Sequence, residues 1–119
     1  MIDTLIAHAS DPDRACIICE GSPDEQTNQY GLAFFCNAFP ALPDGYFVRT
    51  MPAGTWAIFH CTGPVPYTIE KMWQTICSEF FPVFGYEPTN SPDIEIYPRG
   101  NLNAPDYRSE IWVPVRKRT

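Results

Sequence analysis

Two short stretches each set an acid two residues from a large ring. Glu95 and Tyr97 alternate with Ile94 and Ile96, and Glu110 and Trp112 alternate with Ile111 and Val113. Successive side chains of an extended chain point to opposite faces, so each acid shares a face with its ring. A third stretch, from Trp56 to His60, puts Trp56, Ile58 and His60 on one side and Ala57 and Phe59 on the other. A carboxylate among aromatic faces can hold a flat, apolar, positively charged molecule: the acid supplies the counter-charge, and the rings supply contact area and cation–π attraction. The expectation is one concave surface carrying Glu95, Tyr97, Glu110, Trp112, Trp56 and Ile58. The plain alternative is two ordinary solvated sheet faces.

Other chemistry is poorly supplied. Cys16 and Cys19 have CxxC spacing, but no second pair exists, and strand residues three apart face opposite ways, so no metal site is expected. His60 and Cys61 are strand neighbours and diverge, which argues against a Cys–His nucleophilic pair. His8 sits near the chain start. No Gly-rich phosphate loop and no GxSxG elbow occurs, and no cofactor is expected.

The elements that must position these residues follow from periodicity and breakers. Residues 2–9 read as a helical fragment stopped at Asp11-Pro12-Asp13. Arg14 to Glu20 reads as a strand, with Cys16 and Ile18 opposite Ile17 and Cys19. Tyr30 to Phe39 reads as a second strand, and Tyr46 to Met51 as an extended segment broken at Pro52-Ala53-Gly54. Thr55 to Cys61 is a third strand. Ile69, Met72, Trp73, Ile76, Cys77, Phe80 and Phe81 then recur at spacings of three and four, an amphipathic helix over Pro66 to Phe81. Thr68 is its expected cap, Pro82 its expected end, and Trp73 an expected core residue. Asp93–Tyr97 and Arg108–Val115 complete the strands. The order predicts an α+β fold: an antiparallel sheet with helix on one face. Ala57, Phe59, Ile94, Ile96, Ile111 and Val113 form the expected helix-facing set, leaving the acid–ring pairs on the free face.

The 119 residues suffice for a single domain, 1–119, with its own core. A net charge of −6 and a pI near 4.7 argue against direct nucleic-acid binding, which requires a basic surface. No apolar run reaches the roughly 20 residues of a membrane span, and no secretory signal opens the chain, so the expected location is cytoplasmic. Five cysteines at irregular spacing make a poor disulfide framework.

Four stretches together resemble the GyrI-like small-molecule-binding domain, the effector-binding module of many AraC-type and MerR-type regulators. Met51 to Phe59 resembles that family's "iPaGkYavf" strand, and Thr62-Gly63-Pro64 fits the glycine that follows it. Glu79 to Glu87 resembles the "eWLpeSGYe" helix end. Asp93 to Tyr97 and Glu110 to Val115 resemble its "EiY" and "eiwiPv" strands. The order and spacing of these pieces over nearly seventy residues carry the likeness.

The resemblance implies a fold of two βαββ (SHS2-like) units with ligands bound between the halves. It implies that Glu95 is the buried acid that neutralises a lipophilic, drug-like cation while rings stack on it. Trp56 stands where the family has a tyrosine, and Glu110 and Trp112 lie on the last strand. Family domains open with a strand and a full helix before the segment matching Arg14–Glu20. The first unit is therefore expected to lack its opening strand and most of its helix, and a homodimer is expected to cover the exposed edge. The leading function is small-molecule binding, with any role in transcription regulation exerted through a partner. The alternatives are a hydrolase of reactive lipophilic genotoxins with Glu95 as general base, and a protein-binding inhibitor like the topoisomerase modulators of the family.

Overall fold

The computed structural model describes residues 5–7, 9–20, 29–37, 45–51, 53–89 and 91–118. Strands β1 (Arg14–Glu20), β2 (Gln29–Ala33) and β3 (Thr55–Thr62) come first. Helix α1 (Tyr67–Thr75) continues through a wider π turn, Ile76–Phe80, and a last α turn, Phe81–Phe84. Strands β4 (Tyr86–Pro88), β5 (Asp93–Pro98) and β6 (Arg108–Lys117) follow. All pairings are antiparallel, in the spatial order β2-β1-β5-β6-β3, with β4 joining the far end of β6. The fold is α+β with one main helix on one sheet face, as the sequence predicts.

The helix packs on β3 and β6. Its apolar stripe, Ile69, Met72, Trp73 and Ile76, meets Cys61, Ile111, Val113 and Val115, while Glu70, Lys71, Gln74 and Thr75 face outward. Ile76 and Ile111 are fully buried, each stabilising the fold by about 1.5–3 kcal/mol. A second core lies on the reverse of the sheet. Cys16, Ile94 and Ile96 are buried there beneath Ala33, Phe35, Met51 and Trp112. The extended segment 45–51 crosses this reverse face. Phe47 comes so close to Gly31 that a Cβ there would stand 2.7 Å from the ring, so a larger residue would displace it.

The reverse core corrects the expected helix-facing set. Ile94 pairs with Trp112 and Ile96 with Glu110, whereas Glu95 pairs with Ile111. Directly paired residues share a face. Ile94 and Ile96 therefore point away from the helix, and Glu95 and Tyr97 point toward it with Ala57, Phe59, Ile111 and Val113. Alternation fixes the two sides of each strand, but the register between strands decides which sides coincide. Here both faces are covered, so hydrophobicity does not distinguish them.

Smaller departures have local causes. Pro82 does not end the helix, because the π turn before it widens the spiral: the N–H of Phe81 bonds Ile76 O rather than the carbonyl four residues back. Gly85, at φ 74° and ψ 19°, stops the helix in the left-handed conformation that glycine adopts without strain. Thr68 makes no cap; its hydroxyl donates to Pro64 O, and the helix begins after Pro66. β2 is shorter than expected, ending at Ala33. Of the opening helical fragment, 5–7 are helical; Ile2 and His8 lie outside the described residues.

Candidate functional site

Glu95 sits on β5, the middle strand, flanked by Ile17 of β1 and Ile111 of β6. Its half-buried side chain rises on the helix side. There Trp73, reaching down from α1, donates its indole N–H to Oε2 at 2.9 Å, and the Tyr97 hydroxyl donates to Oε1 at 2.7 Å. Bonds to a carboxylate are stronger than neutral ones and orient it firmly. Among the described residues no lysine, arginine or histidine forms an ion pair with Glu95 or with Asp93.

The negative charge is felt by its neighbours. Asp93, two residues along the same face, has its pKa pushed up to about 6, first by burial and then by Glu95. Cys19 pairs with Asp93 across β1, and its thiol is pushed up to about 12 by burial, with Glu95 and Asp93 adding to it. Burial, then the hydrogen bond to Glu95, pushes the Tyr97 hydroxyl above the usual phenol range. The same face continues onto β2: Leu32 pairs with Ile17, and Tyr30 with Cys19. Tyr30 is 67% exposed and Leu32 43%, so an apolar shelf runs outward from the two acids, beyond the reach of α1.

The other expected site residues lie on the reverse face. Trp56 pairs with Pro114, Ile58 with Trp112, and His60 with Glu110. Trp56 meets Trp112 edge-on with ring centres 6.5 Å apart, and Phe35 lies 5.7 Å from Trp112. Glu110 already has a cation. Arg14 donates to its Oε2 at 2.9 Å, and the same guanidinium stands 5.7 Å from the Trp112 ring centre. The sheet thus brings Glu95 and Tyr97 together and separates them from Trp56, Ile58, Glu110 and Trp112. The expected single surface is two, because β5 and β6 meet in a register that opposes their acids.

Trp73 is a residue whose place on the apolar stripe predicts core packing first and pocket lining only second. A half-buried indole N–H needs an acceptor, and that requirement is the signal that could have paired it with an acid on the sheet beneath. Among the described residues no three His, Cys, Asp or Glu side chains converge on a common point. Cys16 and Cys19 face opposite sides of β1, paired with Ile96 and Asp93. A separate open concavity of about 380 Å³ lies at the sheet end, lined by His60, Thr62, Pro98, Arg108 and Glu110 among others, and does not reach Glu95.

Residues 2–115 match the family of Cass2, the integron-associated effector binding protein. No curated protein sequence matches this chain significantly. Among the solved structures that share its fold are the following two. A Staphylococcus aureus MU50 protein assigned to bacterial transcription regulation is 21% identical, aligning 97% of this chain with 71% of its own at a TM-score of 0.74. SAV2435, bound to tetraphenylphosphonium, is 20% identical, with 97% and 69% covered and a TM-score of 0.80. At these identities the likeness establishes the common fold.

Proposed function

The chain belongs to the integron-associated effector binding protein family, and from that premise we propose that it binds lipophilic cations on the helix side of its sheet, with Glu95 as the counter-charge. The observation that carries this reading is the environment of Glu95. Two aromatic donors, Trp73 and Tyr97, hold its oxygens, and no basic side chain among the described residues neutralises it. Each carboxylate oxygen keeps acceptor capacity after one hydrogen bond. A cation arriving there supplies the missing charge, while the rings and the shelf of Ile17 and Leu32 bury its apolar parts. The lipophilic cation held by SAV2435, on the same fold, fits that chemistry.

This reading moves Trp56, Ile58, Glu110 and Trp112 out of the ligand's reach and makes them a reverse-face cluster closed by Arg14. It puts Trp73 in their place. A homodimer belongs to the same reading: the outer edges of β2 and β3 have no ladder partner among the described residues, and such edges invite pairing. The net charge of −6 argues against direct contact with nucleic acid. All five cysteines are free, in keeping with a reducing, cytoplasmic setting. No helix among the described residues is long and apolar enough to cross a membrane. Titration with tetraphenylphosphonium, followed by tryptophan emission in the parent and in Glu95→Gln, tests the reading. Saturable quenching weakened by the substitution is expected, and equal affinity would remove Glu95 as the receptor.

A further inference from the structure

We infer that Asp93 is a second anionic contact of the Glu95 site, and that the site selects aromatic dications over monocations of the same shape. The inference rests on the proposed cation-binding role of Glu95 and adds the ligand's charge number and charge spacing.

Asp93 and Glu95 are alternate residues of one central strand, so their side chains leave the same face about 7 Å apart along it. Register carries two rows outward from them. Glu95 continues into Ile17 and Leu32, and Asp93 into Cys19 and Tyr30. Both rows end in exposed apolar side chains on β2, so a flat ring system laid along β5 would have an acid beneath each end and the apolar shelf along its side. Trp73 and Tyr97 occupy the Glu95 end. The ionisable groups of β1 and β5 beside Asp93 are the Cys19 thiol and the Glu95 carboxylate, and neither brings a positive charge. Asp93 takes part in none of the ion pairs among the described residues.

Two like charges, partly withdrawn from water and unmatched, resist each other; burial first, and then the Glu95 charge, raises the pKa of Asp93. A monocation beside Glu95 neutralises one of them. A rigid dication with matching spacing neutralises both and relieves the repulsion as it binds. The reverse face makes the contrast: there Glu110 meets the chain's own Arg14 and leaves little charge for a ligand.

The test uses two probes of nearly one shape. N-methyl-4-phenylpyridinium carries one positive charge, and N,N′-dimethyl-4,4′-bipyridinium carries two, spaced like alternate strand residues at about 7 Å. Calorimetric titration of the whole chain at pH 7.5 is expected to show the dication bound about tenfold more tightly, the factor that 1.36 kcal/mol supplies. Asp93→Asn, nearly equal in shape, is expected to bring that ratio close to one, and Asp93→Ala to do the same. A tenfold ratio that persists in both variants overturns the inference. If the parent binds the monocation with no preference for the dication, Asp93 is not a contact and the role of Glu95 stands. If the parent binds neither probe nor tetraphenylphosphonium, both readings fall.

Discussion

The indole nitrogen of Trp73 lies 2.9 Å from Glu95 Oε2, tying the helix to the middle strand of the sheet through an acid. The bond does two things at once. It fixes the height of the helix over β5, and it holds the carboxylate in one orientation.

Removing the charge while keeping the shape separates these roles. Glu95→Gln is expected to weaken binding of tetraphenylphosphonium by about 1–3 kcal/mol, the cost of losing a charged partner at a half-buried site. Calorimetry of the two proteins side by side measures it. A neutral analogue, such as tetraphenylsilane dispersed in detergent, should bind both proteins equally.

Trp73→Phe keeps a ring over the sheet and deletes the donor. A hydrogen bond to a carboxylate contributes about 1.5–3 kcal/mol, and partial exposure lowers that toward about 1–2 kcal/mol of stability. Urea unfolding should show the loss as a lower midpoint with an unchanged slope. An unchanged midpoint would mean that the bond contributes nothing to holding the helix.

Asp93 gives a pH dependence of definite sign. Its pKa is raised in the folded chain from the ordinary 3.8 to about 6. The folded state therefore holds this proton more tightly than the unfolded state, and the stabilisation it brings is complete below about pH 4. That stabilisation is lost as pH rises toward about 6, so the parent should lose stability relative to Asp93→Asn across that window, by about 1–2 kcal/mol after allowing for solvent screening. Cation binding should move the other way, strengthening as Asp93 ionises. Thermal melts of both proteins from pH 4 to pH 7.5 measure the first effect, and ligand titrations the second.

Glu110→Gln is the control from the opposite side of the sheet. It should change cation affinity by less than about twofold, while loss of the partly buried Arg14 bond should lower stability by about 1 kcal/mol. A large loss of affinity would return Glu110 to the ligand and contradict the division of the two faces.

Light scattering addresses assembly. The expected mass is twice the 13.5 kDa of one chain, and a value equal to one chain would rule out the dimer.

The fold class, the single long helix and the side-chain alternation within β1, β3, β5 and β6 were legible in the sequence, because apolar periodicity is local. The family was legible too, from motifs whose order survives where their letters drift. The joint site was not. Ile94-Glu95-Ile96 and Ile111-Trp112-Val113 look alike as strings, yet one strand turns its isoleucines down and the other turns its aliphatic residues up. Only the pairing register tells them apart, and register is a property of two strands together. β4 is not legible in the sequence because three residues, Tyr86 to Pro88, are too few to display a period. The helix runs past its expected end because Pro82 stops an ordinary α-helix but not one that has already widened.

The division of the two faces also sorts the chain's three indoles. Trp73 stands alone beside the proposed receptor, whereas Trp56 and Trp112 touch each other on the far side. Their fluorescence is therefore a ready-made pair of reporters. A variant keeping only Trp73 would record occupancy of the helix-side surface, and one keeping only the other two would record whether the sheet transmits that event across its thickness.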